Sequence, residues 1–128
     1  MSAPLILIVE DNERNAKLLR DVLQATGYRT VDTGTAEEGL VIARRDQPDL
    51  ILMDIQLPGM DGKEALRELR REPVTRSIPV IAVTASVLPL ERQEILAEGF
   101  DGYQAKPLSV KTLLAEVQDI LGRRPRAT

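Results

Sequence analysis

The sequence predicts an α/β protein whose parallel sheet is covered by helices on both faces. Two observations carry this. Short, almost wholly apolar runs recur along the chain, and between them lie longer stretches with helical apolar spacing. A third is size: 128 residues make about one domain, and no repeat, linker or composition break divides them. Five strands alternating with five helices imply right-handed crossovers and a doubly wound sheet.

The first strand is Leu5-Ile6-Leu7-Ile8-Val9, too short for a buried helix and suited to a strand covered on both sides. Leu19, Val22 and Leu23 then share one helical face, with Asp11 or Asn12 as its cap. Arg29 to Thr33 mixes polar residues with Val31, as an edge strand does, and Ala36, Leu40 and Ala43 mark a second helix. Leu50-Ile51-Leu52-Met53 repeats the buried-strand pattern, followed by a third helix with Ala65, Leu66 and Leu69 on one face. Val80-Ile81-Ala82-Val83 is the fourth strand. The fourth helix spans Leu88 to Glu98, with Pro89 in its first turn and Gly99 ending it. Tyr103-Gln104-Ala105 is a short fifth strand, and Leu113, Leu114, Val117, Ile120 and Leu121 line a last helix that Gly122 is expected to stop. The domain is therefore placed at residues 1–122, with residues 123–128 as a short, disordered basic tail.

Composition removes whole classes of chemistry. Cysteine is absent, so disulfides, thiolate catalysis and cysteine-bound zinc are excluded. Histidine is absent too, which removes imidazole bases, histidine metal ligands and the Ser-His-Asp arrangement. A net charge of -3, from 17 basic and 20 acidic residues, offers no general attraction to nucleic acid or to an anionic membrane. No apolar run approaches the roughly 20 residues that span a bilayer. The start has no basic region, and Glu10 follows only five apolar residues, so it does not read as a signal peptide. A cytoplasmic location is expected.

In open α/β sheets, ligands bind beyond the carboxyl ends of the strands. Glu10 and Asp11 follow the first apolar run, Asp54 ends the third, Thr84 the fourth, and Lys106 follows the fifth. Three carboxylates held together repel one another unless a cation neutralises them. With only oxygen ligands on offer, a hard ion such as Mg²⁺ fits, and Mg²⁺ prefers one or two carboxylates plus a phosphate oxygen. A lysine and a hydroxyl can take further phosphoryl oxygens, and Asp54 would be the nucleophile.

Taken singly, each residue has a plainer reading: Glu10 and Asp11 as helix caps, Asp54 as a turn acid before Leu57-Pro58-Gly59, Thr84 as a strand-end hydroxyl, Lys106 as a surface lysine, Tyr103 as an edge-strand aromatic. Their placement together at corresponding strand ends is the signal.

Four segments in order carry a resemblance: Val9-Glu10-Asp11-Asn12, Pro48 through Gly62 around Asp54, Ile78 through Ala85, and Lys106-Pro107. They resemble the receiver domain of two-component response regulators, a likeness running from about Leu5 to Leu121. The stretch from Asn12 to Tyr28 and the segment Leu52 to Pro58 are most similar to stand-alone, DivK-like receivers, although receivers fused to hybrid sensor kinases share the same phrases. The resemblance implies a flavodoxin-like (βα)5 fold of strand order 2-1-3-4-5. It implies that Asp54 accepts a phosphoryl group from a phosphohistidine on a sensor histidine kinase or histidine phosphotransfer protein. Asp11 and Asp54 would ligate Mg²⁺ directly, Glu10 through water, and the Gln56 backbone carbonyl would complete the set. Lys106 and the Ala85 backbone N–H would contact the phosphoryl group, with Lys106-Pro107 a cis peptide. Thr84 would rotate toward the phosphate and Tyr103 would move inward behind it. Such a protein is not an enzyme beyond its own phosphorylation and dephosphorylation.

Lacking histidine, the chain needs its phosphohistidine in trans, and its signal leaves by contact with a separate protein through the fourth helix, fifth strand and fifth helix. A homodimer through that face is left open. Gln56 and Ser86, two residues beyond Asp54 and Thr84, either tune hydrolysis or simply face solvent. Val87-Leu88-Pro89-Leu90 departs from the alanine-rich entry usual before the fourth helix in this family. Three other readings stand beside this one. A phosphohydrolase of the haloacid-dehalogenase type needs an acid where Gln56 stands. A flavodoxin-like flavin binder would meet repulsion from Glu10 and Asp11. A degenerate receiver would bind partners without phosphorylation, which nothing among the five residues favours.

Overall fold

In the computed structural model, residues 3–85 and 89–123 are described. The expectations placed on Ser86, Val87, Leu88 and the basic residues Arg124 and Arg126 lie outside them. Strands and helices alternate: β1 (Leu5–Val9), α1 (Glu13–Ala25), β2 (Arg29–Thr33), α2 (Ala36–Asp46), β3 (Leu50–Asp54), α3 (Gly62–Arg71), β4 (Val80–Thr84), α4 (Pro89–Ala97), β5 (Gly102–Ala105) and α5 (Val110–Arg123). All strand pairs are parallel, in the order β2-β1-β3-β4-β5. This is the flavodoxin-like arrangement the sequence predicts.

Alternation along the strands divides the core in two. Leu7, Val9, Ile51, Met53, Val80 and Ala82 face α2, α3 and α4, packing with Leu40, Leu66 and Ile95. Ile6, Ile8, Leu50, Leu52, Ile81 and Val83 face α1 and α5, packing with Leu23, Leu113 and Val117. Because β1, β3 and β4 are buried on both faces, their runs are continuously apolar rather than alternating. The strand at one edge, β2, is less buried, as its mixed composition anticipates.

Local signals fix the ends. Asn12, rather than Asp11, caps α1, its side chain accepting from the Asn15 amide at 3.0 Å; Asp11 is thereby left to the rim. Thr35 and Asp61 cap α2 and α3 in the same way. Gly99, at φ +112°, follows α4 in the left-handed region, as expected of a helix stop. Gly62 starts α3 hard against β3: a Cβ there would lie 2.6 Å from the Asp54 carbonyl oxygen. Three boundaries differ from expectation. α4 ends at Ala97, one residue before Glu98. β5 begins at Gly102, one residue early. More tellingly, α5 runs through Gly122 to Arg123, because an interior helical glycine costs only about 1 kcal/mol and Arg123 bridges back to Asp119 at 2.9 Å.

Candidate phosphoacceptor site

Every strand points its carboxyl end to the same rim, and the strand order makes the carriers of the predicted residues neighbours. The ladder continues past the strand ends. The Glu10 amide donates to the Thr33 carbonyl at 3.0 Å, and the Lys106 amide donates to the Thr84 carbonyl at 2.8 Å. The Ile55 amide donates to the Val83 carbonyl at 3.1 Å, holding the chain straight through Asp54. Backbone pairing therefore aims Glu10, Asp54 and Lys106 before any side-chain contact is made.

Glu10, Asp11 and Asp54 each place a carboxylate oxygen within 4.8 Å of the others. Glu10 and Asp54 are buried, with 4% and 3% exposure, while Asp11 is exposed. Asp54 Oδ1 accepts from the Gln56 amide at 2.9 Å, and Asp54 Oδ2 accepts from Lys106 Nζ at 2.9 Å. Lys106 Nζ also stands 3.0 Å from Glu10 Oε1. That oxygen is buried without an aligned hydrogen-bond donor among the described residues, so this contact is charge proximity rather than a hydrogen bond. Lys106–Pro107 is cis, as expected.

The electrostatics follow. Burial, and secondly Asp54 alongside, push the Glu10 carboxyl from 4.5 to about 7, with Lys106 pulling the other way. Burial alone would lower the Lys106 ammonium, but Asp54 and Glu10 outweigh it and hold it above its usual 10.5. One ammonium thus faces three acids and does not satisfy them. An orphaned, buried carboxylate oxygen beside two further carboxylates is a donor set that fits a hard divalent cation, through Glu10, Asp11 and Asp54.

Thr84 ends β4 and is buried. Its register puts it on the same sheet face as Ala82, which pairs with Tyr103; Thr84 and Tyr103 therefore share a face. Ala85 and Gln56 are exposed at the rim. The half-buried Tyr103 ring packs on the α2/α3/α4 side of the core, with the Arg92 guanidinium 5.6 Å from its centroid. Two residues escaped the sequence reading. Glu116 of α5 accepts from the Tyr103 amide at 3.1 Å and from Gln104 Nε2 at 3.0 Å, covering the open edge of β5. Gly102 is the faint signal for it: a Cβ there would lie 2.8 Å from the Glu116 carboxylate. Arg92 carried no signal at all.

The fold and this rim define a response regulator receiver domain. The family model so described matches residues 6–118, and the chain belongs to that family, which serves two-component signalling. Among individual proteins, it is 44% identical over 117 residues to the polar-differentiation response regulator DivK of Brucella ovis, covering 91% of this chain and 95% of that one. The receiver domain of a sensor histidine kinase from Pseudomonas aeruginosa, described with magnesium coordinated in its active-site cleft, is 36% identical. It superposes with a TM-score of 0.87 over 94% of this chain and 99% of its own. Chemotaxis protein CheY4 of Vibrio cholerae, 27% identical, gives a TM-score of 0.86 over 93% and 99%.

Proposed function

We propose that Asp54 accepts a phosphoryl group from a phosphohistidine of another molecule, and that the change is read by a separate protein. The observation that carries this is Asp54 itself: a buried carboxylate between two acids, with Lys106 Nζ 2.9 Å from one of its oxygens. In the transfer, an Asp54 oxygen forms the new P–O bond as the P–N bond to the donor imidazole breaks, and the imidazole leaves with the electron pair. Mg²⁺ held by Glu10, Asp11, Asp54 and the Gln56 carbonyl would supply charge neutralisation for the entering phosphoryl oxygens. Lys106 offers its ammonium to another of those oxygens, the Ala85 backbone N–H donates to one, and Thr84 turns its hydroxyl to the third. Tyr103 follows into the space behind Thr84, and α4, β5 and α5 present the changed face.

On this reading the protein is not an enzyme toward external substrates, the donor is a sensor histidine kinase or histidine phosphotransfer protein, and the setting is cytoplasmic. No helix among the described residues is long and apolar enough to cross a membrane. We place the domain at residues 1–122, extended by one residue to keep α5 whole, with the remaining tail outside it.

Intact-mass spectrometry after incubation with acetyl phosphate and Mg²⁺ tests the proposal. Wild type should gain one phosphoryl mass, and Asp54→Asn or a chelator should abolish the gain. An unchanged wild-type mass refutes it, and turnover of an external phosphomonoester would revive the hydrolase reading.

A further inference from the structure

We propose that Arg92 is a latch on Tyr103, holding the ring outward and so setting how readily Asp54 is phosphorylated. The inference rests on the reading of Asp54 as phosphoacceptor and of Tyr103 as the ring that moves inward.

Arg92 lies near the start of α4, exposed, with its guanidinium carbon 5.6 Å from the Tyr103 centroid. That is within the roughly 6 Å over which a cation is drawn to an aromatic face. Among the described residues Arg92 has no ion pair with a carboxylate, so the ring is the partner it has.

The backbone of Tyr103 is not free to carry the ring elsewhere. Its strand pairs with β4 at Ala82, and on the opposite edge its amide donates to Glu116. The same carboxylate is packed against Gly102 and takes Gln104 Nε2, so the residues flanking Tyr103 are held as well. Any displacement of Tyr103 is therefore a rotation of its side chain. Whatever touches the ring biases that rotation directly.

The half-buried ring lines a groove of about 470 Å³ between α4 and β5, together with Pro89, Arg92, Gln93, Leu96 and Ala105, and it is this groove-lining position that the latch would hold. The helix carrying Arg92 is lightly held, since Ile95 is its one buried residue among those described. Moving α4 and turning Tyr103 inward thus break one shared contact. An inward ring forfeits the cation–π attraction, which at an exposed site shifts a two-state population about two- to five-fold. By linkage, the latch opposes phosphorylation and phosphorylation opposes the latch to the same degree. Arg92 is in this sense a positioning residue acting through Tyr103.

The test uses the full chain and beryllofluoride with Mg²⁺ as the phosphoryl mimic. The chain has two tyrosines and no tryptophan, so in a Tyr28→Phe background tyrosine fluorescence reports Tyr103 alone. Arg92→Ala should tighten beryllofluoride binding about two- to five-fold, with the fluorescence change at correspondingly lower concentration, and Arg92→Lys should fall between. Circular dichroism checks that each variant is folded. In a Tyr103→Leu background, where beryllofluoride binding is followed by isothermal titration calorimetry, Arg92→Ala should change nothing. Equal affinity for Arg92→Ala and its parent overturns the latch, as does the same gain without the ring. If the parent binds no beryllofluoride, the phosphoacceptor reading falls and the latch falls with it; normal binding indifferent to Arg92 sinks the latch alone.

Discussion

Asp54→Asn removes one negative charge from the rim while keeping the side chain's shape and an oxygen for the Gln56 amide. In the wild type, Asp54 meets two carboxylates with oxygens within 4.8 Å and one ammonium at 2.9 Å. At an effective dielectric of about 20, like charges about 4.8 Å apart cost about 3.5 kcal/mol, and an opposite pair about 2.9 Å apart gains about 6 kcal/mol. Above about pH 7, where Glu10 is ionised, two repulsions therefore slightly outweigh the one attraction; below it Glu10 holds a proton, only Asp11 repels, and the attraction wins. At a pH well above 7, neutralising Asp54 should leave the metal-free fold about 1 kcal/mol more stable, a rise of about 4 °C in Tm for a chain of this size, and below pH 7 the gain should vanish or reverse. Lys106 loses its hydrogen bond to Asp54 and keeps the Glu10 carboxylate 3.0 Å away, which above about pH 7 still opposes the ammonium.

Thermal unfolding by circular dichroism, in chelator at low ionic strength and a pH well above 7, reads the sign directly. Adding Mg²⁺ should stabilise wild type more than Asp54→Asn, narrowing or reversing the gap, because the variant offers one carboxylate fewer. Should Asp54→Asn unfold below wild type in chelator, the attraction to Lys106 wins and the rim is not strained by its own charge. Equal shifts of both proteins with Mg²⁺ would take Asp54 out of the cation site.

Lys106→Ala should act in the opposite direction, losing about 2–3 kcal/mol in chelator because two buried carboxylates are left facing each other, with part recovered by Mg²⁺; urea unfolding with and without Mg²⁺ measures both. Glu10 makes the metal-free stability pH-dependent: its native carboxyl, raised to about 7 from 4.5, keeps a proton that the unfolded chain has released. Unfolding free energy should therefore fall as pH rises across that window, by at most about 3 kcal/mol, and Glu10→Gln should flatten the profile. Over the same window Mg²⁺ affinity should rise with pH, as the competing proton leaves, which isothermal calorimetry would show. Gly122→Ala should stabilise by about 0.5–1 kcal/mol, since α5 passes through Gly122 and a Cβ there meets nothing within 4 Å; a loss in Tm would mean that the glycine is a helix stop after all.

How much of this was legible in the residues depends on the length scale of the cause. The apolar runs Leu5–Val9, Leu50–Met53 and Val80–Val83 declare buried strands because burial on both faces leaves no polar position. The Asn12 cap and the Gly99 stop are local hydrogen-bond and torsion effects, written within a few residues of where they act; the Thr35 and Asp61 caps are of the same kind and were not read from the sequence. Gly122 misled because the same residue type is tolerated inside a helix when a neighbouring turn supports it, and the Asp119–Arg123 pair is that support. Glu116 and Arg92 were illegible for a different reason. Each acts across the gap between a helix and β5, over separations that no spacing rule encodes, and their substitution by another polar residue would leave every periodicity intact.

The site was readable although its contacts are long-range: Lys106 touches a residue 52 positions away. What made it so is that a parallel sheet converts sequence position into spatial position. All five carboxyl ends lie on one rim, and the order β2-β1-β3-β4-β5 places β3 between β1 and β4, with β5 next in line. Asp54 is therefore central by topology, flanked by the Glu10–Asp11 pair on one side and Thr84 on the other, with Lys106 reaching back from the far strand. Reading the one or two residues at the ends of β1, β3, β4 and β5 is enough to assemble that set. The same geometry explains why the charge is left unbalanced. A lysine aligned on a strand end can bring only one ammonium to three acids, so the resting rim carries a proton on Glu10 up to about pH 7, and that deficit of positive charge is what a divalent cation and Lys106 together would remove before a dianionic phosphoryl group could be held there.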